Sequence, residues 1–459
     1  MSRGVRLAVA LVLVLCPVRA WAHALLKRSD PAAGSTIAAS PQLIRLWFSE
    51  QPELRMTSVS LTDASGRAFA LGAPAAEQGT PLGVSLRVSE SLPPGRYIVS
   101  WRTAASDGHP TRGSFSFIVA PEASVSVHRP SPQAGTVATV SPNSTASSMG
   151  EVDEGVAEAS SSVSNSLARA FSFVGLLVLI GATTFRSLVL PRARGTSPDL
   201  AVRMERRAAV LGLTVSVLVI LTAFARIGLE SEMMAGVAGM KTMSMTDMTL
   251  HTRWGFALQL ELGAALVALV SFALAIGRLR GAWTVASISA IVLAVTPALA
   301  GHAAASPRFT SLLIASDFLH VLGGASWLGS LLCVMLIGVP ISLTLMGAER
   351  WQSVAALVNA FSPVALFSAA IVVVSGVIAS WVHVQHLTAL WQTSYGRVLL
   401  VKLALVTLTL MTGAYNFRRV QPLLVREEGT ARLRQSAVLE LGLGFLILVV
   451  TGFLTGVSP

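Results

Sequence analysis

Charge is scarce in this chain. Only 12% of its 459 residues are Asp, Glu, Lys or Arg, against about 25% in soluble domains. That shortfall excludes an ordinary cytosolic enzyme, a disordered protein and a coiled coil. Acidic residues are the scarcer sign, with 23 Asp and Glu against 34 Lys and Arg. In a chain that is 53% hydrophobic, this excess reads as the loop charge of a membrane protein and not as a nucleic-acid surface. Cysteine is nearly absent. Cys16 and Cys333 each lie in an apolar run, which excludes a disulfide framework and a thiolate metal site. A phosphate-binding glycine loop is also missing, so ATP-driven pumping is set aside. Any metal is left to His, Met, carboxylate or amine.

What is present divides the chain in order. Residues 1–22 have the form of a secretory signal: Arg3 and Arg6, an apolar run from Leu7 to Cys16, then Ala20-Trp21-Ala22. Cleavage after Ala22 makes His23 the first mature residue; cleavage after Ala24 is the alternative and removes it. Residues 23–120 alternate in short runs, among them Leu43 to Phe48, Ser58 to Leu61, Val84 to Val88, Tyr97 to Trp101 and Ser114 to Val119. Turn signals such as Asp63-Ala64-Ser65-Gly66 and Pro93-Pro94-Gly95 separate them. The pattern predicts an all-β Greek-key sandwich. Residues 121–163, rich in Ser, Pro, Ala and Thr, predict a flexible tether.

Residues 164–459 predict an all-α polytopic membrane bundle. Apolar spans fall near 167–189, 207–228, 254–276, 283–300, 309–338, 356–382, 394–415 and 436–457. Each can cross about 30 Å of hydrocarbon at about 1.5 Å per residue. The two longest, around Pro340 and Pro363, predict kinks or interfacial starts. A cleaved signal puts the β-domain outside. The loops then inside hold the arginines from Arg192 to Arg207, Arg278, Arg280, Arg350 and those from Arg418 to Arg434. The loops outside hold only Lys241, Arg253, Arg308 and Arg397 at or near their edges. This agrees with the positive-inside rule and predicts an inner-membrane protein with its β-domain and C-terminus outside.

The histidines carry the chemistry. All eight (His23, His109, His128, His251, His302, His320, His383 and His386) fall outside or in the outer half of a span. Imidazole is a common ligand for copper and zinc. A free N-terminal His23 offers an amine and a ring nitrogen, a pair suited to tetragonal Cu(II). Asp107 and His109, two apart in Ser106-Asp107-Gly108-His109-Pro110, project to one side of an extended segment. A surface histidine after a turn is the plain alternative.

These features occur together with His23-Ala24-Leu25-Leu26, Ser29-Asp30-Pro31-Ala32-Ala33-Gly34-Ser35, Leu46-Trp47-Phe48-Ser49-Glu50 and Ser106 to Gly113. Residues 23–120 thereby resemble the periplasmic copper-resistance family CopC. The resemblance implies a cupredoxin-like sandwich that binds Cu(II) through the N-terminal amine and His23, with Asp107 and His109. Some members of that family also hold Cu(I) in a methionine-rich loop. This domain has only Met56, so no such site is expected in it. The membrane part resembles CopD, the multi-span partner of CopC, here fused to it. Gly301-His302-Ala303, Asp317-Phe318-Leu319-His320 and Gly323 to Gly329 carry that likeness.

Within the bundle, Asp317 and His320 share a helix face, with Trp327 near the same stripe. An ionisable pair in a span is a functional hypothesis by default; an interhelical hydrogen bond that only packs the bundle is the rival. Met240, Met243, Met245 and Met248, after Met233 and Met234 and before His251, offer soft sulfur for Cu(I) on composition alone. Methionine as apolar filler is the alternative. His383 and His386 are a further i, i+3 pair, beside the interfacial Trp381 and Trp391. Glu261 and Lys402, at equal depth, predict a structural salt bridge.

The expected function is Cu(II) capture outside, coupled to copper handling and import, without enzymatic activity, nucleic acid or ATP. Periplasmic copper carriers or an electron donor are the expected partners besides lipid. Tolerance by retention outside is the rival. A copper oxidase-type enzyme or a membrane redox protein using histidines as haem ligands is the alternative class. Asp107 argues against oxygen chemistry, because an anionic ligand fills a position that oxygen activation leaves open.

Overall fold

A computed structural model of the chain describes residues 26–49, 51–104, 110–121, 154–193, 197–234, 246, 249–250, 252–301, 309–384, 386–424 and 427–454. The signal segment, His23 and most of the expected tether lie outside these residues.

Among the described residues the N-terminal domain has nine strands: β1 Leu26–Asp30, β2 Thr36–Ile37, β3 Leu43–Phe48, β4 Ser58–Asp63, β5 Ala68–Phe69, β6 Ala75–Ala76, β7 Gly83–Arg87, β8 Gly95–Ala104 and β9 Pro110–Val119. One sheet runs β1-β3-β7-β6 and the other β2-β9-β8-β4-β5. Alternation explains the sandwich. Ile44, Leu46 and Phe48 of β3, and Tyr97, Val99 and Trp101 of β8, turn inward and are nearly inaccessible. Phe48 and Trp101 meet edge to face across the two sheets, with ring centroids 5.2 Å apart. Trp101 lies opposite Gly113, where a Cβ would come within 2.7 Å of the indole. A side chain at Gly113 would therefore displace Trp101.

The eight expected spans are present, each long and apolar enough to cross a membrane. Their helices are α1 Glu154–Thr184, α2 Pro198–Met234, α3 Arg253–Ile276, α4 Ala282–Leu299, α5 Thr310–Gly324, α6 Glu349–His383, α7 Ser394–Tyr415 and α8 Glu427–Leu454. Local chemistry sets some of their ends. Thr252 caps α3 by accepting from the Gly255 N–H at 2.9 Å, and Thr393 caps α7 through Gly396 in the same way. Between α3 and α4 the chain reverses through Arg278 and Gly281, both at positive φ.

Three features differ from expectation. First, α1 starts at Glu154, so the last ten residues assigned to the tether, 154–163, are helical. The apolar span itself begins at Ser164. Second, Pro363 lies inside α6, which runs as one helix and so does not begin there. Third, the fifth span is interrupted by wide π-type turns at Ala325–Gly329 and Val334–Gly338 before Pro340. Gly329 lies in the first of them. A Cβ on Gly181 of α1 would meet the Gly329 backbone at 2.2 Å, so only glycine permits this backbone-to-backbone crossing.

Candidate metal centre

Strands β8 and β9 pair as far as Ala104 opposite Pro110. The segment 105–109, which carries Asp107 and His109, therefore connects these two ends and lies outside the described residues. Alternation fails just before it, since Arg102, Thr103 and Ala104 are all buried. The cause is a second partner on the outward side. Ala104 and Met56 form one apolar cluster with Ala223 of α2 and with Trp254 and Leu258 of α3. The Glu53 N–H donates to the Ala104 carbonyl at 2.8 Å, and the Thr57 and Thr103 hydroxyls pair at 2.7 Å. Burial pushes the Glu53 carboxyl above its ordinary range, while the Arg253 guanidinium, then Arg55, pulls it back. The end of the β-domain that bears the Asp107 and His109 segment is thus seated on the bundle.

Inside the bundle, the expected pair Asp317 and His320 is on α5. His320 Nδ1 is 3.0 Å from the Ser375 hydroxyl of α6, and that hydroxyl lies 2.6 Å from the Ile371 carbonyl. With Ser375 donating to Ile371, its oxygen can accept an Nδ1–H, and the ring also hydrogen-bonds the Val372 backbone. Lys402 of α7 lies within electrostatic range of both Asp317 and His320, and Tyr395 lies beside Asp317. The expected Glu261–Lys402 bridge is not formed. Glu261 instead pairs with Arg226 of α2 at 3.0 Å. Equal depth did not make Glu261 and Lys402 neighbours, because α2 supplies a cation closer to Glu261.

Trp327 lies in the wide turn over Ala325–Gly329, and its ring borders Gly413 of α7, the helix that also carries Lys402. The indole N–H donates to Glu440 Oε1 of α8 at 2.9 Å. The Asn416 amide donates to Glu440 Oε2 at 3.0 Å. Glu440 is only 3% exposed, and Asn416 Oδ1 is buried without a partner. This carboxylate is not among the residues that the sequence singles out. Its signal was an acidic residue inside the otherwise apolar last span.

The remaining candidates are not brought together by what is described. Among the described residues no three His, Cys, Asp or Glu side chains converge on a metal position. His386 is exposed, and His383 closes α6. His251, His302, Met240, Met243, Met245 and Met248 lie outside the described residues, as do His23, Asp107 and His109.

Comparison with known proteins identifies the domains. Residues 26–120 match the CopC domain, 160–307 the copper resistance protein D-like N-terminal domain, and 355–454 copper resistance protein D. Copper resistance protein C of Escherichia coli is 35% identical over 106 residues, covering 22% of this chain and 83% of that protein. The chain thus carries a CopC domain followed by segments that match the copper resistance protein D models. Copper transport protein CutJ of Bacillus subtilis is similar along nearly the whole length, at 23% identity over 469 residues, 98% of this chain and 77% of that protein. The CopC domain is also similar to the crystal structure of CopC from Methylosinus trichosporium OB3b. That match has 30% identity and a TM-score of 0.21, covering 22% of this chain and 99% of the other. In this CopC–CopD chain, then, the domain that matches CopC rests by its β8 end on a membrane bundle that contains two polar clusters. The one nearer the β-domain is Asp317, His320, Tyr395 and Lys402; the one farther from it is Trp327, Asn416 and Glu440.

Proposed function

We propose that this chain captures Cu(II) outside a bacterial-type inner membrane and passes it to its own bundle for import. The capture ligands are the N-terminal amine and imidazole of His23 with Asp107 and His109. This donor set suits Cu(II). The observation that supports hand-off is the seating of Met56 and Ala104 on Ala223, Trp254 and Leu258, because the segment holding Asp107 and His109 starts at Ala104. Receiving ligands are His302, His320, His251, His383 and His386, with Met240, Met243, Met245 and Met248. Transfer to thioether sulfur as Cu(I) takes one electron per ion from a donor on the outer side. The β-domain and the C-terminus face that side.

Retention without transport is the second reading. One observation favours it: Lys402 lies within electrostatic reach of Asp317 and His320, and an ammonium there opposes entry of a further cation. Cytoplasmic copper in cells with and without the gene separates the two. Import requires less copper in the deleted strain; an increase on deletion overturns import in favour of retention. The capture site is tested by titrating the secreted domain. Its first residue should be His23, and His109→Ala should weaken Cu(II) binding.

A further inference from the structure

The end of the bundle away from the β-domain holds a cavity of about 600 Å³ between α1, α2 and the turn joining α3 to α4. Its lining includes Arg186, Arg206, Arg278 and Arg280, with Glu205 the one acidic side chain among the described residues that line it. Arg186 is held in place from two sides. Its Nε lies 3.4 Å from Glu205, and its guanidinium carbon stands 5.9 Å from the Trp283 ring centroid. A guanidinium held in this way matches the oxygens of a phosphate, and the exposed Arg206, Arg278 and Arg280 add charge around it.

A second cavity of about 550 Å³ adjoins the first, and Ser187 and Ser287 line both. Its walls run toward α5 and α6 and are chiefly apolar, with Leu322, Phe367 and Ile371 among them. Two wall residues, Ile291 and Phe367, are also 48% and 70% exposed on the outside of the bundle. The second cavity therefore opens sideways, where hydrocarbon surrounds a membrane helix bundle. A free anion would gather at the four arginines of the first chamber, or at Arg192 in the second, and would leave the apolar walls unused. A molecule with a phosphate at one end and an acyl chain at the other would use both.

We infer that these joined cavities bind one anionic phospholipid, its phosphate among Arg186, Arg206, Arg278 and Arg280 and an acyl chain beside Phe367. The excess of guanidinium over carboxylate selects against a headgroup that carries its own ammonium. Scattered loop arginines are expected from orientation alone. What goes beyond that is their convergence on one cavity and its continuity with an apolar one. The inference is independent of copper.

The test uses full-length protein purified from membranes containing equal phosphatidylglycerol and phosphatidylcholine, with native mass spectrometry as the readout. The wild type should retain one phosphatidylglycerol. Arg278→Gln/Arg280→Gln should lower that retention about thirtyfold, since each arginine near an anionic lipid contributes about a factor of five. Ser187→Leu, which fills the neck between the chambers, should also lower it while leaving the arginines in place. Thermal unfolding in detergent should rise on adding phosphatidylglycerol and stay unchanged with inorganic phosphate. Equal retention of phosphatidylcholine, undiminished retention in both variants, or equal stabilisation by inorganic phosphate would overturn the assignment.

Discussion

At His320 the two ring nitrogens have different surroundings: Ser375 takes up Nδ1, and Lys402 stands within electrostatic reach. If Asp317 and Lys402 act as a charge pair, removing either leaves a buried charge uncompensated, which costs about 3–5 kcal/mol. Asp317→Asn and Lys402→Met should each lower thermal stability, and the double variant should recover most of the loss. His320→Ala should leave stability closer to wild type and abolish copper-dependent growth. Wild-type growth in His320→Ala would assign the cluster to packing. Deeper in the bundle, Glu440 receives one hydrogen bond from Trp327 and one from Asn416. Glu440→Leu strands both donors and should cost about 2–6 kcal/mol, because each unmet buried donor costs about 1–3. Glu440→Gln keeps an acceptor for Trp327 and should lose less. Thermal unfolding of the two variants in one detergent makes the comparison.

Elements were legible in the sequence wherever one periodicity dominated. Period-2 runs such as Leu43 to Phe48 became strands with every second residue buried, and apolar runs over 18 residues became spans. The wide turns at Ala325–Gly329 and Val334–Gly338 were not legible, since no residue type marks one extra residue per turn. Helix neighbours were equally hidden. Depth in the membrane can be counted along one span, but adjacency is set by packing, and so Lys402 was given to Glu261. Residues 154–163 have the polar, small-residue composition of the tether, yet they continue the helical ladder of α1. The docking element was hidden for the same reason, and it carries a pH dependence. Burial raises Glu53 above its ordinary 4.5, so the seated state favours the protonated acid. Its contribution is full below that ordinary value and is lost as pH rises through the raised one. Spin labels paired across the β-domain and bundle should report closer, narrower distances at the acidic end of this window. Glu53→Gln should remove the dependence, and a persisting one would clear Glu53 of the role.

At the scale of the whole molecule the issue is whether capture and delivery are one device or two activities on one chain. A tethered domain raises its local concentration at the membrane by linkage alone, without any seat. Fusion would then suffice, and the packing of Met56 and Ala104 on Trp254 would add nothing to transfer. If the seat matters, breaking it must separate binding from accumulation. Ala104→Arg places a long charged side chain where Ala223, Trp254 and Leu258 now close on the end of β8. The change leaves the sandwich core of Ile44, Leu46, Val99 and Phe117 untouched, so the domain should fold. Copper titration of the secreted domain should give wild-type affinity, while cells carrying the full-length variant should accumulate several-fold less copper than wild type. Trp254→Ala, made on the bundle side, removes the same contact without altering the capture domain and should show the same split. Full accumulation in both variants would leave the tether alone as the link between the domains. Loss of Cu(II) affinity in the isolated Ala104→Arg domain would instead mean that the substitution had reached the ligands, and Trp254→Ala would then decide alone.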